Sequence, residues 1–292
     1  MPTKKILITG ANGQLGQEFS FLAKAFPHFE FIFLSRIELD ITSKATIDTF
    51  FLNTNINYCI NCAAYTAVDK AETDIENAEK INIFGIKKLG EACAKRNIPL
   101  IHFSTDYVYH NNQNTPFIET DTTNPQGIYA QSKLSGEKKL LAIHPQAMVF
   151  RTSWVYSTFG HNFVKTMLRL GKERDELSVV FDQIGSPTNA YDLAEAVLQI
   201  LTKVENGDLD NPILFGIYHY SNEGVCSWYD FALAIFEIAQ IECHVLPIES
   251  KAYPTPAKRP PFSVLNKTKI KDTFGIEIPH WRESLKKCLA SL

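Results

Sequence analysis

Lys4-Lys5-Ile6-Leu7-Ile8-Thr9-Gly10-Ala11-Asn12-Gly13-Gln14-Leu15-Gly16 is the stretch on which the fold turns. Its first half is a short aliphatic run that reads as a buried strand, and an apolar-periodic helix is expected from Leu15 to about Phe26. Between them the glycines fall as GxxGxxG rather than GxGxxG. Gly10 permits a tight turn, Gly13 lets backbone approach a pyrophosphate, and Gly16 lets helix and strand pack closely. Strand, glycine turn and helix together form the context that a dinucleotide-binding fingerprint requires, with the pyrophosphate meeting the free N–H groups at the helix start.

The same rhythm continues outward. Strands are expected at Phe31 to Leu34, Tyr58 to Asn61, Leu100 to Ser104 and Met148 to Arg151, with helices near Lys44 to Phe51, Ile75 to Arg96 and Tyr129 to Ile143. Alternation of this kind calls for an α/β fold, a Rossmann-type doubly wound parallel sheet with right-handed crossovers. Beyond Arg151 the pattern loosens, with helices expected at Asn162 to Lys172, Tyr191 to Lys203 and Trp228 to Ala239 and a strand near Phe215 to Tyr220. Pro254, Pro256, Pro260 and Pro261 bar the last part from continuous helix or central strand, which suits a smaller C-terminal substrate-binding lobe. The expected division is a dinucleotide-binding domain at 1–151, completed by about 190–220, and a lobe built from 152–189 and 221–292.

A chain of 292 residues with 45% apolar and 21% charged residues is ordinary for a globular enzyme. A net charge of −3 without a basic run argues against nucleic acid as a partner. No apolar stretch approaches a membrane span or a signal-peptide core, so no membrane association and a cytoplasmic location are expected. Six scattered cysteines suit a reducing compartment. Cys59 and Cys62 have redox-motif spacing, but on a strand their side chains face opposite sides and cannot close a small ring. The histidines show no metal-ligand spacing.

Chemistry is carried by Tyr129 and Lys133, four apart on one helix face, where an ammonium is expected to lower the phenol pKa and make Tyr129 a proton donor. Ligands of open parallel sheets bind outside the carboxyl ends of the strands. Gly10, Asn61-Cys62-Ala63-Ala64 and Ser104-Thr105-Asp106-Tyr107 all fall at such ends and should converge on one crevice. Ser35-Arg36, at the end of the second strand, offers a hydroxyl and a guanidinium suited to a 2′-phosphate, so NADPH is expected over NADH.

Taken in order, Gly10 to Gly16, Ala63 to Glu72, Ser104 to Tyr109, Tyr129 to Lys133, Arg151 to Tyr156 and Arg259-Pro260 resemble the extended short-chain dehydrogenase/reductases, and within them the dTDP-4-dehydrorhamnose reductases. The resemblance runs over nearly the whole chain and implies reduction of a 4-keto deoxysugar nucleotide to dTDP-L-rhamnose. It implies Thr105, Tyr129 and Lys133 as the catalytic set. Thr105 would bond the keto oxygen, Tyr129 protonate it, and Lys133 bind the nicotinamide ribose. For the cofactor it implies Gly10, Asn12, Gly13, Gln14, Leu15, Gly16, Arg36, Asp40, Ile41, Ala63, Ala64, Tyr65, Asn82, Tyr129 and Lys133, with NADH accepted by many members. For the sugar nucleotide it implies Thr66, Val68, Tyr107, Trp154, Asn162 and Arg259.

The chain departs from the family at Tyr109-His110-Asn111, where Phe-Asp-Gly is usual, and at Ala130, where glycine is. Some relatives hold magnesium through interface glutamates, and Glu18 resembles one of these. No metal ligand set follows from the sequence, so Mg2+ stays open. Helices such as that of Ile75 to Arg96 could form a homodimer. Two other readings stay open. A dehydratase or epimerase of the same fold is one, although Thr105 is followed by Asp106-Tyr107 and lacks the second carboxyl of dehydratases. A non-catalytic binding subunit is the other.

Overall fold

A computed structural model describes residues 3–209 and 215–292. Its centre is a parallel sheet of six strands: β1 (Lys4–Thr9), β2 (Phe29–Leu34), β3 (Tyr58–Asn61), β4 (Leu100–Thr105), β5 (Ala147–Thr152) and, late in the chain, β10 (Gly216–His219). The spatial order is β2-β1-β3-β4-β5-β10, so strand order reverses beside β1. Crevices open at such reversals. The glycine turn leaves β1 at that place.

The helices of the first half are α1 (Gln14–Leu22), α2 (Lys44–Asn53), α3 (Val68–Ala71), α4 (Ile75–Glu79), α5 (Ile86–Ala94) and α6 (Ile128–Ile143). The second half adds β6 (Val155–Tyr156), α7 (Phe163–Glu173), β7 (Glu176–Val180), β8 (Ile184–Gly185), β9 (Thr188–Asn189) and α8 (Ala190–Glu205). After β10 come β11 (Cys226–Ser227), α9 (Trp228–Ala239), β12 (His244–Ile248), α10 (Thr268–Phe274) and α11 (Trp281–Ala290). Strands with both faces covered must be apolar on both, and β3, β4 and β5 are buried at every position. Ile6, Ile8, Ile60, Ile101 and Phe103 pack against α1, α8 and α10 on one face. Leu7, Cys59, Leu100 and Val149 pack against α2, α5 and α6 on the other.

Cys59 therefore belongs to one layer, while Cys62 packs against the opposite one, and both thiols are free. A third apolar cluster gathers Val164, Phe231, Phe236 and Trp281 from α7, α9 and α11. Helix α9 begins with a reciprocal capping box between Ser227 and Asp230. The proline segment forms neither helix nor paired strand apart from an isolated bridge of Phe262 to Ile184.

The helix expected from Ile75 to Arg96 runs unbroken from Ile75 to Ala94, with a π-helical turn at Lys80–Gly85 set between α4 and α5. The wide turn surrounds Asn82, whose side chain accepts the Tyr65 N–H at 2.9 Å and donates to the Tyr65 carbonyl at 3.1 Å. Such a turn adds a residue to the helix and re-aims the side chain that grips a neighbouring loop. Apolar periodicity cannot register a single extra residue.

Candidate active site

The crevice is built at the ends of β1, β3 and β4. Gly10 has φ +66°, and a Cβ there would come within 2.6 Å of the Ala63 amide nitrogen, so only glycine fits this turn. A Cβ on Gly16 would approach the Gly10 carbonyl oxygen to 2.6 Å, which is why helix and turn can close on each other. The first turn of α1 has no side-chain cap, leaving its N–H groups to an external acceptor. Gly10, Asn12, Gly13, Arg36, Asp40, Ile41, Ala63 and Ala64 line one groove of about 320 Å³. A shape that a Cβ would fill, uncapped helix N–H groups and a nearby guanidinium together fit a dinucleotide.

Other residues expected at the cofactor are engaged differently. Leu15 packs toward the core beneath α1. Gln14 accepts a hydrogen bond from the Asn162 amide at 2.9 Å. Asn162 also caps α7, accepting from the Lys165 N–H, and donates to the Ser157 carbonyl. Its amide thus ties the glycine turn to the start of α7.

At the second strand the Ser35 N–H is already held by the Glu38 carboxylate at 2.8 Å, and Arg36 lies 3.9 Å from Asp40. Those bonds from Ser35 keep the Glu38 carboxyl below its usual range. A 2′-phosphate would therefore meet one cation and a competing anion.

Past β4, the Thr105 hydroxyl accepts from the Tyr107 N–H at 3.2 Å, donates to Asp106 at 3.1 Å and lies close to the Tyr129 phenol. Tyr107 packs edge-on to Tyr129 with ring centroids 6.0 Å apart. Lys133, one turn along α6, is 2% exposed and bonds the Phe103 carbonyl at 2.6 Å.

The electrostatics of Tyr129 and Lys133 differ from what their spacing predicts. Burial holds the Tyr129 phenol above its ordinary value, and the Asp106 carboxyl adds to the effect. Lys133, meanwhile, is pushed down to about 8 by burial and turns its nitrogen inward. Tyr129 rests as a protonated phenol, a form able to donate, without the acidification expected from its neighbour.

The rim on the other side comes from two parts of the chain. Arg259 bonds Asp69 at 2.7 Å, linking the proline segment to α3, and its charge lies close to the Tyr107 hydroxyl. Thr66 is exposed and Val68 half-buried on the same rim. Trp154, at φ +48°, stacks on Trp228 with centroids 3.7 Å apart, so one of its faces is used in packing.

Comparison with known proteins turns this geometry into a family. The model of the RmlD substrate binding domain matches residues 4–292. A dTDP-4-dehydrorhamnose reductase of Aggregatibacter actinomycetemcomitans is 42% identical, over 98% of both chains. The chain belongs to the dTDP-4-dehydrorhamnose reductase family. A crystal structure of such a reductase from Clostridium acetobutylicum superposes with a TM-score of 0.91 at 42% identity, covering 98% of this chain and 99% of that one. Another, from Bacillus anthracis in complex with NADP, gives 0.92 at 35% identity over 99% and 100%. Family members are oxidoreductases on the extended short-chain dehydrogenase/reductase fold. A UDP-glucose 4-epimerase of Thermus thermophilus, 19% identical with a TM-score of 0.80, shares that fold alone.

Several buried polar groups of the site escaped sequence reading. Asp106 is 2% exposed, and burial raises its carboxyl to about 7 despite the bond from Thr105. Ser104 donates to Glu137, which pairs with Arg151 at 2.7 Å, and Arg151 in turn donates to Tyr109 at 2.6 Å. Glu72 accepts the Ile128 N–H at the start of α6. The available signal was His102 and Ser104 inside an otherwise apolar strand, since buried polar groups need partners.

Glu18 is buried, accepts from Ser157 at 2.6 Å and is pushed up by burial. Among the described residues no three or more His, Cys, Asp or Glu side chains gather as a metal site, so magnesium gains no support. No described helix is long and apolar enough to cross a membrane.

Proposed function

We propose that this chain reduces the 4-keto group of dTDP-4-dehydrorhamnose to dTDP-L-rhamnose, with NADPH preferred as hydride donor and NADH accepted. The observation that carries the reading is the placement of Thr105 at the end of β4 close to the buried Tyr129 phenol, with Tyr107 edge-on to that ring, beside the glycine-turn groove. The dinucleotide would lie over Gly10, Asn12, Gly13, Ala63 and Ala64, with adenosine toward Arg36, Asp40 and Ile41, and would supply the hydride. Thr105 and Tyr129 then offer two hydroxyls to one ketone oxygen. A phenol kept neutral by burial can give its proton as negative charge develops there.

Tyr107 and Arg259 supply a flat ring and a guanidinium for a sugar pyrophosphate, provided the anion displaces Asp69. Thr66, Val68 and Trp154 complete the proposed sugar-nucleotide rim, while Asn162 would act chiefly by holding Gln14 and the start of α7. The cytoplasm is the proposed location, and a homodimer using the partly exposed Ile75 and Phe84 the proposed assembly.

Turnover is measured by NADPH oxidation with dTDP-4-dehydrorhamnose and a panel of other keto-sugar nucleotides. Formation of dTDP-L-rhamnose is expected. A dehydrated or epimerised product would instead favour the same-fold rivals, and cofactor binding without oxidation a non-catalytic role.

Cofactor choice has its own test. Arg36→Ala is expected to abolish most discrimination between NADPH and NADH, because it leaves Glu38 facing the 2′-phosphate with no cation beside it. An unchanged ratio of kcat/KM for the two cofactors rejects Arg36 as the selector.

A further inference from the structure

Three registered positions on adjacent strands carry polar side chains on one face of the sheet. Thr9 of β1 lies beside Asn61 of β3, and Asn61 beside His102 of β4. All three are at most 2% exposed. The Thr9 hydroxyl donates to Asn61 Oδ1 at 2.6 Å, and Asn61 Nδ2 lies 2.9 Å from His102 Nδ1. His102 Nε2 then lies 3.5 Å from Lys133 Nζ. Apolar burial explains none of these identities.

The chain has a direction. Asn61 Nδ2 also donates to the Ala63 carbonyl at 3.2 Å, an acceptor that only the amide nitrogen can serve. The nitrogen is therefore the atom facing His102, and His102 Nδ1 must accept. Burial holds His102 far below its ordinary pKa and hence neutral. A neutral imidazole that accepts at Nδ1 carries its hydrogen on Nε2, aimed at Lys133.

We infer that His102, oriented through Asn61 and Thr9, is a positioning residue that presents an N–H to Lys133 and so disfavours the ammonium in its inward pose. The Phe103 carbonyl takes one lysine hydrogen at 2.6 Å. An uncharged amine can donate there and still offer its lone pair to the imidazole N–H, whereas an ammonium has no lone pair and sets donor against donor. Inward Lys133 is thus favoured as the amine, and the charged form is directed out toward Tyr129 and the crevice.

Other titratable groups surround the lysine. On its own helix Tyr129 precedes it and Glu137 follows, and Glu137 favours the charged form. The Glu137 charge is offset by Arg151 of β5. Asp106 faces the Tyr129 side, and Tyr65 is occupied with Asp74. His102 is the group from β4.

The inference rests on the proposed reductase site only for the use made of Lys133; the tuning itself is read without substrate or cofactor. Protein labelled with 13C-lysine is titrated by NMR from about pH 6 to 11, the Lys133 Cε signal being assigned by its loss in Lys133→Met. The wild-type midpoint is expected near 8. His102→Leu should raise it by about one unit or more, a tenfold gain in proton affinity. His102→Gln, whose amide can accept from Asn61 and still offer an N–H, should restore it. A wild-type midpoint in the ordinary range above 10, or a midpoint unmoved in His102→Leu, overturns the inference. If His102→Leu does not fold, Asn61→Leu, which removes the amide that fixes the imidazole tautomer, is titrated in its place, and an unmoved midpoint overturns the inference. Failure of the reductase assay with a normal lysine titration would count against the proposed reaction and leave the tuning intact.

Discussion

Tyr129→Phe is expected to lower kcat by about a hundred- to ten-thousand-fold while leaving fold and NADPH binding intact, the usual worth of one positioned acid. Only the hydroxyl is removed. The ring keeps its edge-on contact with Tyr107, and Thr105 keeps its bonds to Asp106 and the Tyr107 N–H. Loss of rate should appear without a comparable rise in the dissociation constant for NADPH, measured by fluorescence or calorimetry. A variant that turns over at the wild-type rate would falsify Tyr129 as the proton donor. Because the resting phenol is held protonated by burial, turnover should not fall on the acid side through Tyr129 ionisation. An acid limb near neutrality would point to Asp106, raised to about 7.

The second large effect concerns stability. Arg151 and Glu137 are 3% and 1% exposed and are joined by two nitrogens of the guanidinium. Arg151→Met would leave the Glu137 carboxylate buried with only the Ser104 hydroxyl to support it. Breaking one side of such a pair typically costs about 3–5 kcal/mol, because an uncompensated charge stays in a medium of low polarity. Urea unfolding should show this loss, and Arg151→Met combined with Glu137→Leu should recover part of it. A single variant within about 1 kcal/mol of wild type would mean that solvent reaches the pair. The pair braces β5 against α6, the helix that carries Tyr129 and Lys133, so the same variant is expected to disturb catalysis as well.

How far each feature could be read in advance follows from its range along the chain. The five early strands and most helices were legible because burial on one or both faces imposes periods of 2 and 3.6 on neighbouring residues. β7, β12, α10 and α11 were not foreseen. β7 and β12 pair across more than sixty residues, and their alternation is too short to stand out from loops. Thr105, Tyr129 and the glycine turn could be singled out because strand ends and helix spacing place them locally. Their contacts could not, since Tyr107, Arg259 and Asp69 meet only when α3 and the proline segment come together.

By itself, the order of residues determined an α/β chain with a glycine turn shaped for a dinucleotide and a tyrosine and lysine on one helix face. Those traits depend on backbone sterics and on spacing within one element. The tertiary structure alone decided the electrical state of that pair. Whether Lys133 acidifies Tyr129 depends on which way its ammonium turns and on how much water is left around it, and both are governed by residues from other strands. Here the lysine turns to the Phe103 carbonyl and His102, and burial raises the phenol and lowers the amine. Charge in a folded interior answers to distance and desolvation, and neither is written in the separation of two residues along a chain.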